Sequence, residues 1–131
     1  MTMLPAPDAA FLMERHLEYS VALESGMLCI VLPQWTLPSG YTVQETDLLV
    51  RLPGGYPDLP PDMWWFDPAV LRVDGRDIPA TQAIEHHLGR NWQRWSRHLG
   101  PEQWRSGVDG IGSFLALIRE ELIRCANGGV S

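Results

Sequence analysis

The sequence predicts an α+β fold, and three observations carry that reading. Ile111, Phe114, Leu115, Ile118 and Leu122 recur at three- and four-residue steps, the spacing of a helix with one buried stripe. Upstream, short apolar runs are separated by Ser25-Gly26 and Pro38-Ser39-Gly40 with no helical pattern between them, which specifies an antiparallel meander. Between the two lies Pro53-Gly54-Gly55-Tyr56-Pro57-Asp58-Leu59-Pro60-Pro61, whose prolines and glycines exclude both a helix and a central strand.

Taken in order, the elements follow from local chemistry. After a short proline-containing lead, Asp8 is placed to cap a helix running through Phe11, Leu12 and Arg15 towards Leu17. Tyr19 to Glu24 alternates apolar and polar residues, the pattern of a half-buried strand. Met27 to Leu32 reads as a second strand ended by Pro33, and Asp47 to Leu52 as a third, apolar enough to be covered on both faces. Because proline fixes φ, Pro53 to Pro61 is stiff and extended. Met63-Trp64-Trp65-Phe66 supplies the fourth strand of the meander, stopped by Asp67-Pro68. Leu71 to Ile78 suggests a small hairpin around Asp74-Gly75, and Pro79 to Leu88 one helical turn at most. The last helix is expected from Asp109 or Ser106, with Asp109 a cap, to about Cys125, closed by Gly128-Gly129.

Composition narrows the function. One domain across residues 1–131 is long enough to bury a core without staples. The formal charge of −6 argues against a nucleic-acid partner, which needs a basic face, although Arg90, Arg94, Arg97 and Arg105 cluster and leave an acidic partner open there. No run of eighteen apolar residues spans a membrane, and Met1 to Ala10 lacks the pattern of a secretory leader, so a cytoplasmic protein is expected. Cys29 and Cys125 lie far apart and match no metal spacing; both read as reduced thiols packed in a core. A zinc site from His86, His87 and His98 would lack a fourth ligand, so neither metal nor cofactor is expected.

The stretch from Gly89 to Trp104 holds Trp92, Trp95, Trp104, Arg90, Arg94, Arg97 and His98 around Ser96, with no clean helical or strand period. Aromatic rings in irregular backbone wall a site or plug a gap under a loop. The arginines read as cation–π partners of the tryptophans, and a lone serine in a loop reads as a turn or capping residue.

The order of elements, with Tyr56-Pro57-Asp58-Leu59-Pro60-Pro61 and Trp92-Gln93-Arg94-Trp95-Ser96-Arg97-His98, resembles the ubiquitin-conjugating (UBC) superfamily, and in particular its bacterial branch found in ubiquitin-like modification operons. The resemblance covers nearly the whole chain. It implies a minimal UBC-like fold: an N-terminal helix, an antiparallel four-stranded meander, a long irregular active-site segment and a C-terminal packing helix, without the usual last two helices. Tyr56, Pro57, Pro60 and Pro61 become the structural motif under the site. Ser96 stands eight residues before Trp104, where the family keeps its active cysteine, and His86 ten residues before Ser96, where the family has the histidine of a His-Pro-Asn motif. His86-His87-Leu88 contains neither the proline nor the oxyanion-holding asparagine, a task for which Asn91 is the substitute at hand.

The resemblance therefore implies a carrier that accepts a ubiquitin-like protein from an activating enzyme and transfers it, here through a serine oxyester, with a JAB-type peptidase as a further partner. Serine does not ionise near neutral pH, whereas a thiol of pKa about 8.5 does in part, so Ser96 needs a base: His98, or His86 brought in by the fold. Arg94, Arg97, Trp95, Asn91 and Trp104 are the residues this reading sets against the partner. The alternative is a UBC-like module that docks a ubiquitin-like protein or its activating enzyme without chemistry. A third reading is an unrelated α+β interaction domain.

Overall fold

A computed structural model describes residues 4–127. It contains helix α1 (Ala6–Glu14), strands β1 (Ser20–Glu24), β2 (Met27–Thr36), β3 (Glu45–Leu52), β4 (Trp64–Asp67), β5 (Ile84–His87) and β6 (Arg90–Trp95), and helix α2 (Ile111–Ala126), with a 3₁₀ turn at Pro101–Gln103 before α2. The expected glycine close at Gly128-Gly129 lies outside the described residues. No helix among the described residues is long and apolar enough to cross a membrane.

All six strands join one antiparallel sheet in the order β1-β2-β3-β4-β6-β5. The expected four-stranded meander is thus extended by a hairpin, β5–β6, whose second strand inserts beside β4. Arg90 to Trp95 is regular strand, not irregular backbone. Its alternation is masked because Trp92 and Trp95 are buried on opposite faces of the sheet and Gln93 is buried between them. Within Pro79 to Leu88 no helical turn forms; Ile84–His87 is strand β5 and the residues before it are turn and irregular backbone. Leu71 to Ile78 makes no hairpin: Arg72 bridges to Tyr41, and its guanidinium turns to Asp74 and the Cys125 carbonyl. β2 continues past Pro33 to Thr36 because the register shifts between Leu32 and Trp35, and a bulge accommodates the missing N–H.

One face of the sheet packs on α2, which buries Ile111, Phe114, Leu115, Ile118, Leu122 and Cys125. Trp64 stacks on Trp95 at 6.2 Å and meets Phe114 edge-on at 5.9 Å, so β4, β6 and α2 share one aromatic centre. Asp8 does not cap its own helix, which has no side-chain cap. Its carboxylate, 5% exposed, instead accepts the Ile111 N–H at 3.1 Å and caps α2 across the fold. Its second oxygen accepts the Tyr56 hydroxyl at 2.8 Å. Gly110 makes this approach feasible: a Cβ there would lie 2.8 Å from Asp8 Oδ1. Asp109 is not the cap either; its carboxylate accepts the Arg105 N–H in the preceding turn.

The other sheet face closes on itself. In a flat sheet, five steps of about 4.8 Å would hold β1 and β5 about 24 Å apart. Yet Glu24 at the end of β1 accepts the Leu88 N–H at 2.8 Å and pairs with His87 of β5 at 3.2 Å. Glu24 lies at the Leu52 end of β3 and His87 at the Asp47 end, so diagonally opposite corners meet, as a strongly coiled sheet allows. The hollow so formed is filled by Cys29, Leu49, Trp65 and Trp92, each 4% exposed or less.

Candidate active site

Ser96 follows β6 directly. Its N–H donates to the Ala80 carbonyl at 3.0 Å, which extends the strand pairing past β5 and fixes the serine at the sheet's end. The hydroxyl is half-buried, and its one described partner is the thioether of Met63 at 3.8 Å. A thioether is a weak acceptor, so the hydroxyl is held loosely. Two residues on, the exposed imidazole of His98 is bonded through Nδ1 to Asp62 Oδ1 at 2.8 Å. Asp62 and Met63 are consecutive at the entry to β4, so one dipeptide touches both the serine and the histidine.

His86 is elsewhere. It sits across from Asn91 at the other end of the hairpin, and the two side chains bond at 3.0 Å. Five residues of strand separate Asn91 from Ser96, about 16 Å at the usual rise. The histidine and asparagine are thus brought to each other, and neither to Ser96.

The partner-facing candidates are equally dispersed. Trp95 is fully buried and donates to Gln93 Oε1 at 3.0 Å. Trp104, 9% exposed, donates to the Pro57 carbonyl at 2.8 Å and lies against Tyr56 with ring centres 6.1 Å apart. That contact clamps the proline motif, of which Pro61 is buried and Pro60 half-buried. Burial first, then the bond to Asp8, pushes the Tyr56 hydroxyl well above its ordinary pKa, so it remains a donor. The expected cation–π pairs form at Arg90 on Trp92 (4.3 Å) and Arg97 on Trp95 (5.1 Å), while Arg94 turns to Glu85 at 2.7 Å. Arg97 also bonds Glu121 at 2.5 Å and the Pro79 carbonyl at 2.9 Å, which fixes the chain just after Ser96. Bonds from Arg124 first and Arg97 second hold the Glu121 carboxyl at about 2.

Above the self-filled sheet face lies a charged network that the sequence did not signal. Glu85 accepts from Trp65 Nε1 at 2.9 Å, His87 Nε2 at 3.1 Å and Arg94 at 2.7 Å. Burial alone would raise the Glu85 carboxyl; those three bonds together bring it below its ordinary value. These contacts tie β4, β5 and β6 to one another, with the Arg94 guanidinium bonded to Glu85.

A groove of about 310 Å³ runs beside His98, between Arg97–Leu99 and Leu117, Glu121 and Arg124 of α2. A larger cleft, about 440 Å³, opens near Leu71, Ile84 and Thr81, and none of the predicted site residues lines it. Among the described residues no three His, Cys, Asp or Glu side chains group as metal ligands. Asp62 and Met63 are the site residues that sequence reasoning missed; their one signal was adjacency to Pro60-Pro61.

A search of curated proteins and one of solved structures each find no match. The family model described as Prokaryotic E2 family E matches residues 4–125, nearly the whole chain and every element described above. A conjugating-enzyme-like role, with a ubiquitin-like protein and an activating enzyme as the general kind of partner, goes with that match. The chain, with its curled sheet, its clamped Tyr-Pro motif and helices α1 and α2, belongs to the prokaryotic E2 family.

Proposed function

We propose that this protein carries a ubiquitin-like protein as an oxyester on Ser96, with His98 as the base and Asp62 as the residue that orients it. The observation behind this is the Asp62–His98 bond at 2.8 Å beside a serine whose hydroxyl is committed only to a thioether. Bonding at Nδ1 fixes the tautomer and leaves Nε2 for proton transfer. Ser96 Oγ attacks the carbonyl carbon of a C-terminal glycine thioester and its proton passes to His98. The C–S bond breaks, the new C–O bond remains, and the departing thiolate takes the proton from the imidazolium. In the second half an acceptor amine attacks the ester, and the serine oxygen recovers a proton as it leaves. Arg97, pinned by Glu121 and Pro79, keeps the segment from Ser96 to His98 in place.

The second reading is a docking module without chemistry. What favours it is the geometry at Asn91: the asparagine that would steady the oxyanion is bonded to His86 at the far end of β6. The two readings part in one experiment. With a ubiquitin C-terminal thioester and a fluorescent diglycine thioester as donors, the carrier forms an adduct that survives thiol reductant and is cleaved by alkali. Ser96→Ala loses it, and His98→Ala slows it about 10²-fold or more. Binding of the donor with no adduct supports the module, and equal charging of Ser96→Ala refutes the carrier.

A further inference from the structure

We infer that the absence of lysine from this sequence protects an ester on Ser96 from capture by the chain's own side-chain amines, so that the cargo is kept for transfer. The inference rests on the carrier reading above. All ten cationic side chains of the 131 residues are arginines, and lysine, among the commonest residues in proteins, does not occur. Part of this follows from geometry. Arg72 reaches Asp74 and the Cys125 carbonyl, Arg90 reaches Asp67 and Asp47, and Arg97 reaches Glu121 and the Pro79 carbonyl. Each uses the guanidinium fork on acceptors that a single ammonium would not span.

Geometry does not account for Arg76 and Arg105, which are exposed. The Arg76 side chain is 77% exposed and only 4.0 Å from its nearest carboxylate, and a lysine would carry the same charge there. What separates the two residues at such places is reactivity. A lysine ammonium, pKa about 10.4, releases enough free amine to attack an acyl group; a guanidinium, pKa above about 12, does not. The thiols obey the same rule. Cys29 is 0% and Cys125 1% exposed, and burial pushes the Cys125 thiol up further.

The reaction avoided is simple. A lysine Nζ within reach attacks the ester carbonyl, a C–N bond forms, the C–O bond to Ser96 breaks, and the amine's proton passes to the serine oxygen. The product is an amide that does not return its cargo. A loaded chain with such a lysine becomes its own acceptor.

The test installs amines and asks whether they are taken. Pro79→Lys places one beside the site, since Ser96 donates to the Ala80 carbonyl and Arg97 to that of Pro79. Arg105→Lys places one on the exposed surface with no change of charge. Native chain, acetylated at its α-amine, and both variants are charged with the ubiquitin thioester and treated with alkali, and surviving adducts are mapped by mass spectrometry. The native adduct is expected to be wholly alkali-labile and dischargeable by added free lysine. Pro79→Lys is expected to accumulate at least tenfold more alkali-resistant adduct, mapped to the introduced amine. The inference is overturned if native chain builds alkali-resistant adducts, or if neither variant does while free lysine still discharges them. Absence of any adduct on native chain refutes the carrier reading, and the inference with it.

Discussion

Asp8→Ala should cost this fold more than any single surface substitution, and the structure gives the size of the loss. The Asp8 carboxylate is buried, accepts the first N–H of α2 at 3.1 Å and accepts the Tyr56 hydroxyl at 2.8 Å. Removing a helix cap costs about 1 kcal/mol, and stranding a buried hydroxyl about 1–3 kcal/mol. Together they give about 2–4 kcal/mol, a large part of the about 5–15 kcal/mol that holds a domain together. Urea unfolding followed by tryptophan fluorescence measures it, with an unchanged m-value as the check that the same transition is seen. Tyr56→Phe removes the other partner and should cost about 1 kcal/mol alone. In the Asp8→Ala background it should instead recover part of the loss, because it removes the stranded hydroxyl and its penalty. Gly110→Ala, whose Cβ would displace Asp8 Oδ1, should be harmful in the native chain and nearly silent beside Asp8→Ala. An Asp8→Ala protein within about 0.5 kcal/mol of native, or single losses that simply add, would refute the tertiary cap.

Glu121 is held at about 2 against an unfolded value near 4.5, so its stabilisation is complete above pH 4.5 and is lost as pH falls towards 2. Acid melts of Glu121→Gln should lack that component, worth on the order of 2 kcal/mol for this largely enclosed carboxylate. Arg90→Lys keeps the charge but loses the fork between Asp67 and Asp47 and the stack on Trp92, for about 1 kcal/mol in thermal or urea unfolding. His86→Ala should leave charging by the ubiquitin thioester unchanged within twofold, because that ring is bonded to Asn91 about 16 Å of strand away from Ser96.

What could be read from the sequence was what local chemistry decides alone. Helix α2 followed from a clean apolar stripe. The β1–β2 hairpin followed from Ser25-Gly26, whose φ values of 52° and 77° are those of a two-residue turn. The second hairpin turns on Leu88-Gly89 with nearly the same angles, 55° and 79°, but leucine is no turn signal, so β5 and β6 went unrecognised. Curling of the sheet hid β6 a second time, since it buries aromatic residues on both faces and erases the alternation that marks a half-buried strand. Asp8 looked like a cap and is one, for a helix that starts 103 residues later, a partner no local window contains. At the site, Ser96 was reached only through the resemblance, by the family's spacing of eight residues before Trp104; that Trp104 clamps the proline motif is a contact no spacing reveals. The pairing of His98 with Asp62 depends on β4 and β6 being neighbours, which a four-stranded meander did not provide.

The most direct test of the central claim is the chemical nature of the bond formed on charging. Native chain treated with the ubiquitin C-terminal thioester, then with thiol reductant, should retain one adduct, which peptide mapping assigns to Ser96 and mild alkali removes. Mapping to any other residue, or an adduct of unchanged yield on Ser96→Ala, would contradict the account.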